Sequence, residues 1–222
     1  MDQILLGVEK RVCKQDDILI GGNDWQENLR ILTDVLDRLY RHNLHLKLPK
    51  CEFLKPDVVY LGLRITAEGV QPVEEKINTV KRAPAPQNVS ELRSFLGMVQ
   101  YYHSFLAGLA TILAPLHRLL QKNVRWELSD DCQKAFEACK EGLTSDSLLV
   151  HYDLNRKLRL ACEASSYGLG AVLSHVMEYG PERPIAYAFR TLSSSEKNYA
   201  EIEIFFKVKN CTSFSMDESS RW

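Results

Sequence analysis

The spacing of the apolar residues changes along this chain, and this change limits the folds that the chain can adopt. Up to residue 142 apolar side chains recur at helical spacing, which predicts helices at about 24–42, 73–81, 90–106, 111–121 and 129–142. After residue 146 the period changes. Leu158, Leu160 and Cys162 alternate with Arg159, Ala161 and Glu163, which predicts a half-buried strand at 158–163. Residues 168–175 and 184–189 predict two more strands, with a helix beginning near 193–195. Helices followed by consecutive antiparallel strands are typical of an α+β fold.

Short local signals refine this pattern. An apolar run at Asp17–Ile20, just before two glycines, predicts a buried strand, and the β-rich residues 58–66 predict a strand or a hairpin. Asp24 and Glu27 have the spacing of a capping box at the start of the first helix. Ser90 is a favourable N-cap for the helix that follows it, and Pro115 predicts that the helix at 111–121 kinks or begins there.

The composition is that of a globular chain without membrane or secretion signals. The 222 residues are 45% apolar and 26% charged, which is sufficient for one large core or two small ones. No apolar run approaches the ~18 to 20 residues of a membrane span, and the N-terminus lacks the features of a signal peptide. We therefore predict an intracellular protein, in the cytoplasm or the nucleus, with no membrane partner. The six scattered cysteines lack C-x-x-C spacing, which predicts reduced thiols.

The net charge of −1 conceals a basic middle segment between two acidic flanks. Residues 76–126 contain seven basic side chains and the single acid Glu91. The basic residues are Lys76, Lys81, Arg82, Arg93, Arg118, Lys122 and Arg125. Two interpretations remain open on charge alone. The segment is either a solvated helical face or a surface that follows a phosphate backbone, where cations displace condensed counterions.

Asp16 and Asp17 are adjacent carboxylates just before the first predicted strand. Successive residues of a strand point to opposite faces, so at most one or two of their oxygens can reach a common metal ion. Pairs of aspartates also arise by chance. Asp130 and Asp131 in this chain are explained more simply as negative charge at a helix N-terminus.

A series of short motifs carries a family resemblance. In the first part of the chain they are CKQDDILI at 13–20, KCEFL at 50–54, YLG at 60–62, APAP at 83–86, SELRSFLG at 90–97 and the tyrosines Tyr101 and Tyr102. In order and approximate spacing, these motifs resemble the reverse transcriptase of gypsy-type LTR retrotransposons. LACEAS at 160–165, GAVL at 170–173, RPIA at 183–186 and EKNY at 196–199 resemble the ribonuclease H-like domain of the same family. The resemblance covers about residues 1–209.

The resemblance implies a domain order and an α+β fold. Residues 1–75 would be the C-terminal part of a polymerase palm, and residues 76–126 a basic helical thumb and connection. Residues 127–209 would be a truncated ribonuclease H-like unit with antiparallel strands, and residues 210–222 an unmatched polar tail. In the parent family these parts serve RNA-directed DNA synthesis and hydrolysis of the RNA strand of a hybrid.

The resemblance also implies roles for individual residues. Asp16 and Asp17 would be catalytic carboxylates that bind two Mg²⁺ ions together with an upstream aspartate, and Glu163 and Glu203 would occupy two acidic positions of the ribonuclease H site. The seven basic residues of the middle segment and Tyr101 would contact an RNA–DNA hybrid or a primer–template duplex.

Departures from the family pattern weaken the catalytic expectation. Only fifteen residues precede Asp16, so a fingers and palm segment with the upstream aspartate would have to come from elsewhere. Lys14 replaces an aromatic residue, Glu163 replaces an aspartate, and about five residues are missing after Glu203. Since neither site assembles its full set of carboxylates, we expect this chain to be inactive alone. Two alternatives are a catalytically dead nucleic-acid-binding module and a remnant without function.

Overall fold

The computed structural model describes residues 1–143, 147–193 and 195–199, and it has the α+β fold that the sequence predicts. The chain divides into two compact units, residues 1–67 and a unit that begins at Glu68. Throughout the described ranges, every helix is too short or too polar to span a bilayer. The proposed polar tail, Glu203 and most of the helix expected after residue 193 lie outside the described residues. Only a short 3-10 helix, Glu196–Asn198, is described there.

The first unit is built on two hairpins and one long helix. Strands β1 (Arg11–Lys14) and β2 (Asp17–Ile20) pair antiparallel, with Lys14 opposite Asp17. Helix α1 (Trp25–Arg41) packs against β2, and its inward face joins the cluster of Leu5, Val35 and Leu39. Strands β3 (Val58–Tyr60) and β4 (Leu63–Ile65) form the hairpin expected at 58–66. Leu61 and Gly62 at its turn both have positive φ, which suits a tight two-residue connection.

The start of α1 confirms the predicted capping box. The Asp24 side chain accepts the Glu27 N–H at 2.8 Å. The Glu27 carboxylate accepts the N–H of Asn23 at 2.7 Å, one residue before the cap, and pairs with Lys10 at 2.7 Å. The bond to Asp24 satisfies the Glu27 amide, one of those that the first helical turn leaves without partners, and the bond to Asn23 fixes the residue before the cap.

Four helices open the second unit. After strand β5 (Val70–Pro72) come α2 (Glu74–Lys81), α3 (Val89–Tyr101), α4 (Leu109–Arg118) and α5 (Asp130–Gly142). The apolar stripe predicted for the third helix is buried, and Phe95 meets Phe136 of α5 with ring centroids 4.5 Å apart. The helices expected at 73–81 and 129–142 are confirmed, the second with Ser129 as its N-cap.

One cap prediction was wrong, and one of the two alternatives for α4 is excluded. Asn88, and not Ser90, caps α3, because the Asn88 side chain accepts the Glu91 N–H at 2.9 Å while the Glu91 carboxylate accepts the Gln87 N–H. Helix α4 begins at Leu109, after Gly108 in the left-handed conformation, so the helix starts before Pro115 and contains it. Both Asn88 and Ser90 suit an N-cap, and the reciprocal bond of Glu91 favours Asn88.

A three-stranded antiparallel sheet completes the described part of the second unit. Its strands β6 (Leu158–Ala164), β7 (Gly168–His175) and β8 (Arg183–Thr191) lie in sequence order, and α4 packs on β7 and β8. The three strands are confirmed, but the expected half-burial of β6 through Leu158 and Leu160 is wrong, since both side chains are exposed. Strand β6 is an edge of the described sheet, where fewer neighbours cover a side chain.

A backbone bridge joins distant parts of the second unit. The N–H of Val70 donates to the carbonyl of Leu149 at 2.7 Å, and the N–H of Leu149 donates to the carbonyl of Val70 at 2.9 Å. A Cβ atom on Gly69 would lie 2.1 Å from the Leu149 oxygen, so only glycine fits at this approach. Next to it, the N–H of Val150 donates to the carbonyl of Pro184 at the start of β8.

Candidate functional site

The acidic pair lies at the tip of the first hairpin. Gln15, with φ of 55°, and Asp16 form the connection, and Asp17 opens β2 opposite Lys14. Both carboxylates are exposed. The Asp17 carbonyl accepts a hydrogen bond from the Tyr60 hydroxyl at 3.3 Å, which ties the first hairpin to β3. The pair is therefore presented to solvent on an anchored turn.

The described side chains do not fit a two-metal centre. Two catalytic Mg²⁺ ions lie about 4 Å apart and need several converging carboxylates. In the described ranges no group of three His, Cys, Asp or Glu residues is arranged to hold a metal ion. Among those residues Asp16 and Asp17 have no third ligand, and we derive no catalytic step through Mg²⁺.

Of the two glutamates at the ribonuclease H positions, Glu163 is the one that lies within the described residues. Glu163 lies on β6 opposite Gly170, and its side chain is exposed. Glu203 lies outside the described residues. Glu163 is thus a solvent-facing carboxylate that is not joined by other described acids in a metal-binding group.

The seven cations of the middle segment are all exposed, and they are spread over three helices and the residues that follow them. Lys76 and Lys81 lie on α2 and Arg82 is its C-cap. Arg93 lies on α3 and Arg118 is the last residue of α4. The remaining two, Lys122 and Arg125, lie between α4 and α5.

None of these seven cations has an acidic partner among the described residues, whereas several basic residues outside the segment do. The ion pairs of the described chain all lie outside the segment 76–126, and they include Lys10–Glu27, Arg64–Asp57 and the short Arg159–Glu182 pair. The one acid within the segment, Glu91, is bound to the Gln87 N–H at 2.8 Å and the Asn88 amide at 2.7 Å. The segment therefore presents positive charge that no described carboxylate within 4 Å neutralises.

The two tyrosines at the end of α3 divide between core and surface. Tyr102 is buried, whereas Tyr101 is exposed, and their rings meet edge to face with centroids 4.9 Å apart. Burial raises the pKa of both phenols above the ordinary value, so both are neutral at physiological pH. Of the pair, Tyr101 is the one whose ring solvent and a ligand can reach.

Sequence reasoning missed Tyr167, in the turn between β6 and β7. Its ring borders two clefts beside α4, one of about 560 Å³ and one of about 290 Å³. Arg118 borders both clefts as well. A tyrosine between serine and glycine in a turn is the signal that the sequence offered, but the sequence does not reveal that α4 lies beside it.

Comparison with known proteins agrees with part of the predicted relationship. Residues 128–207 match the family described as the RNase H-like domain found in reverse transcriptase. The Tf2-3 and Tf2-7 transposon polyproteins of Schizosaccharomyces pombe are each 35% identical over 189 residues, which is 85% of this chain. The chain spans 14% of the length of these relatives.

Solved structures with a similar fold come from a foamy virus. The foamy viral protease-reverse transcriptase in complex with dsDNA gives a TM-score of 0.73 at 22% identity, covering 94% of this chain and 44% of that one. The same protein in complex with an RNA/DNA hybrid gives 0.72 at 22% identity, covering 95% and 29%. At this identity the likeness concerns the fold alone.

These matches confirm the predicted ribonuclease H-like part and the relation to transposon polyproteins, whereas the assignment of residues 1–126 to palm and thumb stays a prediction. The matched region contains α5 and all three strands of the second unit's sheet. Residues 128–207 therefore carry the RNase H-like domain found in reverse transcriptase, within a chain that is similar to one segment of transposon polyproteins.

Proposed function

We propose that this chain is part of a gypsy-type retrotransposon reverse transcriptase and ribonuclease H, and that it binds an RNA–DNA hybrid or a primer–template duplex. The observation that carries the proposal is the set of seven exposed cations between residues 76 and 126 that have no acidic partner within the described residues. Structural neighbours that hold dsDNA and an RNA/DNA hybrid support the same class of ligand.

Binding of this kind draws its free energy from counterion release. Each cation that neutralises a phosphate frees condensed ions, and the logarithm of affinity then falls with the logarithm of salt concentration by about 0.9 per contact on a duplex. If all seven cations engage, the slope approaches about −6. Cations already paired with a carboxylate gain less, which is why the unpaired segment is the expected interface.

Catalysis is assigned to the longer parent protein. Asp16 and Asp17 can act as polymerase carboxylates and Mg²⁺ ligands only when further acidic residues complete the site. Glu163 and Glu203 need additional acidic residues in the same way. This chain alone is proposed to bind nucleic acid without polymerising or cleaving it. Primer extension or hybrid cleavage that disappears in Asp16→Asn or Glu163→Gln would contradict this proposal.

A second proposal concerns a partner segment of the polyprotein. Trp25, Leu29, Leu36 and Tyr40 follow one face of α1 at helical spacing and are exposed, with Trp25 at 63% and Tyr40 at 85%. This stripe is separate from the face that packs on Leu5. We infer that a fingers and palm segment covers it in the parent protein, because an exposed apolar row of this length is typical of a protein interface.

The binding proposal is tested by titrating the full chain with a fluorescently labelled RNA–DNA hybrid over a series of salt concentrations. A variant with Lys76, Lys81, Arg82 and Arg93 all changed to glutamine should lower the salt slope by between about 3 and 4 and the affinity by about 10²- to 10³-fold. A matched control variant changes four exposed, unpaired cations outside the segment to glutamine, namely Arg30, Arg41, Lys157 and Arg183. Equal losses in both variants would contradict a localised interface.

A further inference from the structure

The smaller cleft beside α4 has a well-defined set of walls. It measures about 290 Å³. The end of α4 contributes His117 and Arg118, and Gln121 follows the helix. Leu192, just after β8, is a buried residue that also lines the cleft. Tyr167 of the β6–β7 turn forms the remaining wall. All of these residues belong to the second unit, so its own fold holds the cleft together.

The turn that carries Tyr167 is fixed by several contacts. The Ser165 hydroxyl oxygen accepts the N–H of Tyr167 at 3.3 Å and that of Gly168 at 3.2 Å, and it lies 3.0 Å from the Thr111 hydroxyl at the start of α4. The Tyr167 carbonyl accepts the N–H of Leu192 at 3.0 Å. The residue nevertheless remains 47% exposed. The backbone that carries the Tyr167 ring is therefore pre-positioned, so little backbone entropy is lost when a ligand stacks on the ring.

Close packing at Gly168 strengthens this restraint. A Cβ atom at this position would lie 2.5 Å from the Ala110 Cβ and 2.7 Å from the Arg190 carbonyl oxygen. The backbone directly after Tyr167 therefore contacts both α4 and β8 with no room for a larger residue. The position of the tyrosine relative to α4 is consequently set by packing as well as by hydrogen bonds.

Charge distinguishes the smaller cleft from the larger one. None of the described residues that border the smaller cleft is acidic, and Arg118 is exposed on its wall without an ion pair to a described carboxylate. The larger cleft shares Arg118 and Tyr167 and adds one further cation, Lys134, but it also adds two acids, Glu127 and Asp131, which would repel a phosphate. An anionic group therefore favours the smaller cleft.

We propose that this cleft holds one unpaired nucleotide of the bound nucleic acid, with its base stacked on Tyr167 and its phosphate on Arg118. The proposal rests on the function proposed above and names the part of the ligand that is bound here. Base stacking on an aromatic ring beside a cation is a general way of holding single-stranded nucleic acid. Arg118 also belongs to the basic segment, so a strand that follows the segment reaches the cleft.

Neutral polar groups complete the site. Gln121 offers an amide donor and acceptor, and Thr191 offers a hydroxyl. Burial lowers the pKa of His117 below its ordinary value, so its imidazole is neutral at pH 7 and can both donate and accept a hydrogen bond. These groups suit the edge of a base or a sugar hydroxyl, whereas Arg118 alone supplies the fixed charge.

The test uses the full chain and an RNA–DNA hybrid with a short single-stranded overhang that carries 2-aminopurine. Stacking on Tyr167 should quench 2-aminopurine in the overhang but not at a paired position. Tyr167→Ala should abolish the quenching and weaken overhang binding by about 5- to 150-fold, and Tyr167→Phe should retain both. Arg118→Gln should lower the salt slope of overhang binding by about 0.7.

Tyr179→Ala is the matched control, because Tyr179 is 91% exposed between β7 and β8 and lies outside both clefts. It should leave binding and quenching unchanged. Wild-type protein that binds the blunt hybrid but does not quench the overhang would overturn the nucleotide site and leave the proposed function intact. Equal behaviour of Tyr167→Ala and the wild type would do the same. Wild-type protein that binds neither ligand would overturn both proposals.

Discussion

The two units of this chain use their helices differently. In the first unit α1 buries one face against a small cluster around Leu5 and leaves a second apolar row, from Trp25 to Tyr40, open to solvent. In the second unit Phe95 of α3 meets Phe136 of α5, and α4 packs on both α5 and the sheet. The second unit therefore supplies its own core, whereas the first unit retains an exposed apolar row on α1 that suits a partner.

The largest expected effect comes from the core of the second unit. Phe136 of α5 is buried and contacts Phe95 of α3, so Phe136→Ala should remove packing and leave a cavity, lowering the free energy of unfolding by about 3–5 kcal/mol. Hydrogen exchange measured by mass spectrometry should show the loss of protection in α3 and α5. Protection that stays at wild-type values in these helices would contradict a self-sufficient core.

The matched change in the first unit is Leu39→Ala. Leu39 is buried in the cluster with Leu5 and Val35, and its truncation should lower the free energy of unfolding by about 2–3 kcal/mol. The same exchange experiment should report the change in α1 and β2. If α1 lost no protection, the small cluster would not be what holds this helix.

An intermediate effect is expected at the helix caps. Asp24 caps α1 and Asn88 caps α3, each through a side-chain oxygen that accepts an N–H three residues later. Replacing either with alanine should cost about 1 kcal/mol, measured by chemical denaturation. Ser90→Ala serves as the control, since Ser90 lies inside α3 and should change stability by less. A larger loss at Ser90 than at Asn88 would reverse the assignment of the cap.

The smallest expected effect concerns the exposed row of α1. Because Leu29 and Leu36 are both exposed, changing them together to glutamine should alter the free energy of unfolding by only about 0.5 kcal/mol. The same variant should bind less of an environment-sensitive apolar dye and self-associate less. Ile31→Gln, on the buried face of α1, is the destabilising control. A large loss of stability in the double variant would show that the row is covered within this chain.

Much of the fold was predictable because its signals are local. The capping box at Asp24, the start of α5 at Ser129 and the apolar run of β7 depend on residues a few positions apart, and these elements were confirmed. The exposure of Leu160 on β6 was not predictable, because it depends on what lies over one face of the sheet. The same is true of α1, whose two apolar faces look equivalent in the sequence.

The candidate site shows the same limit. The basic segment was visible in the sequence as a charge pattern. That its cations have no acidic partner among the described residues was not, because this depends on where Glu91 and the other carboxylates point. Tyr167 was missed because its cleft combines the end of α4, a turn and the residues after β8, which are far apart in the sequence. The roles of Asp16, Asp17, Glu163 and Glu203 stay predictions.

The bridge between Val70 and Leu149 has a practical consequence for shortened versions of this protein. The four helices lie in the segment between these two residues, and the bridge brings the ends of that segment together. Most of the chain entropy lost on closing the segment is therefore lost in a single pairing. A version that stopped after α5 would leave the Val70 amide and carbonyl without their Leu149 partners. Stable truncation of the helical region therefore requires the chain to extend past Leu149.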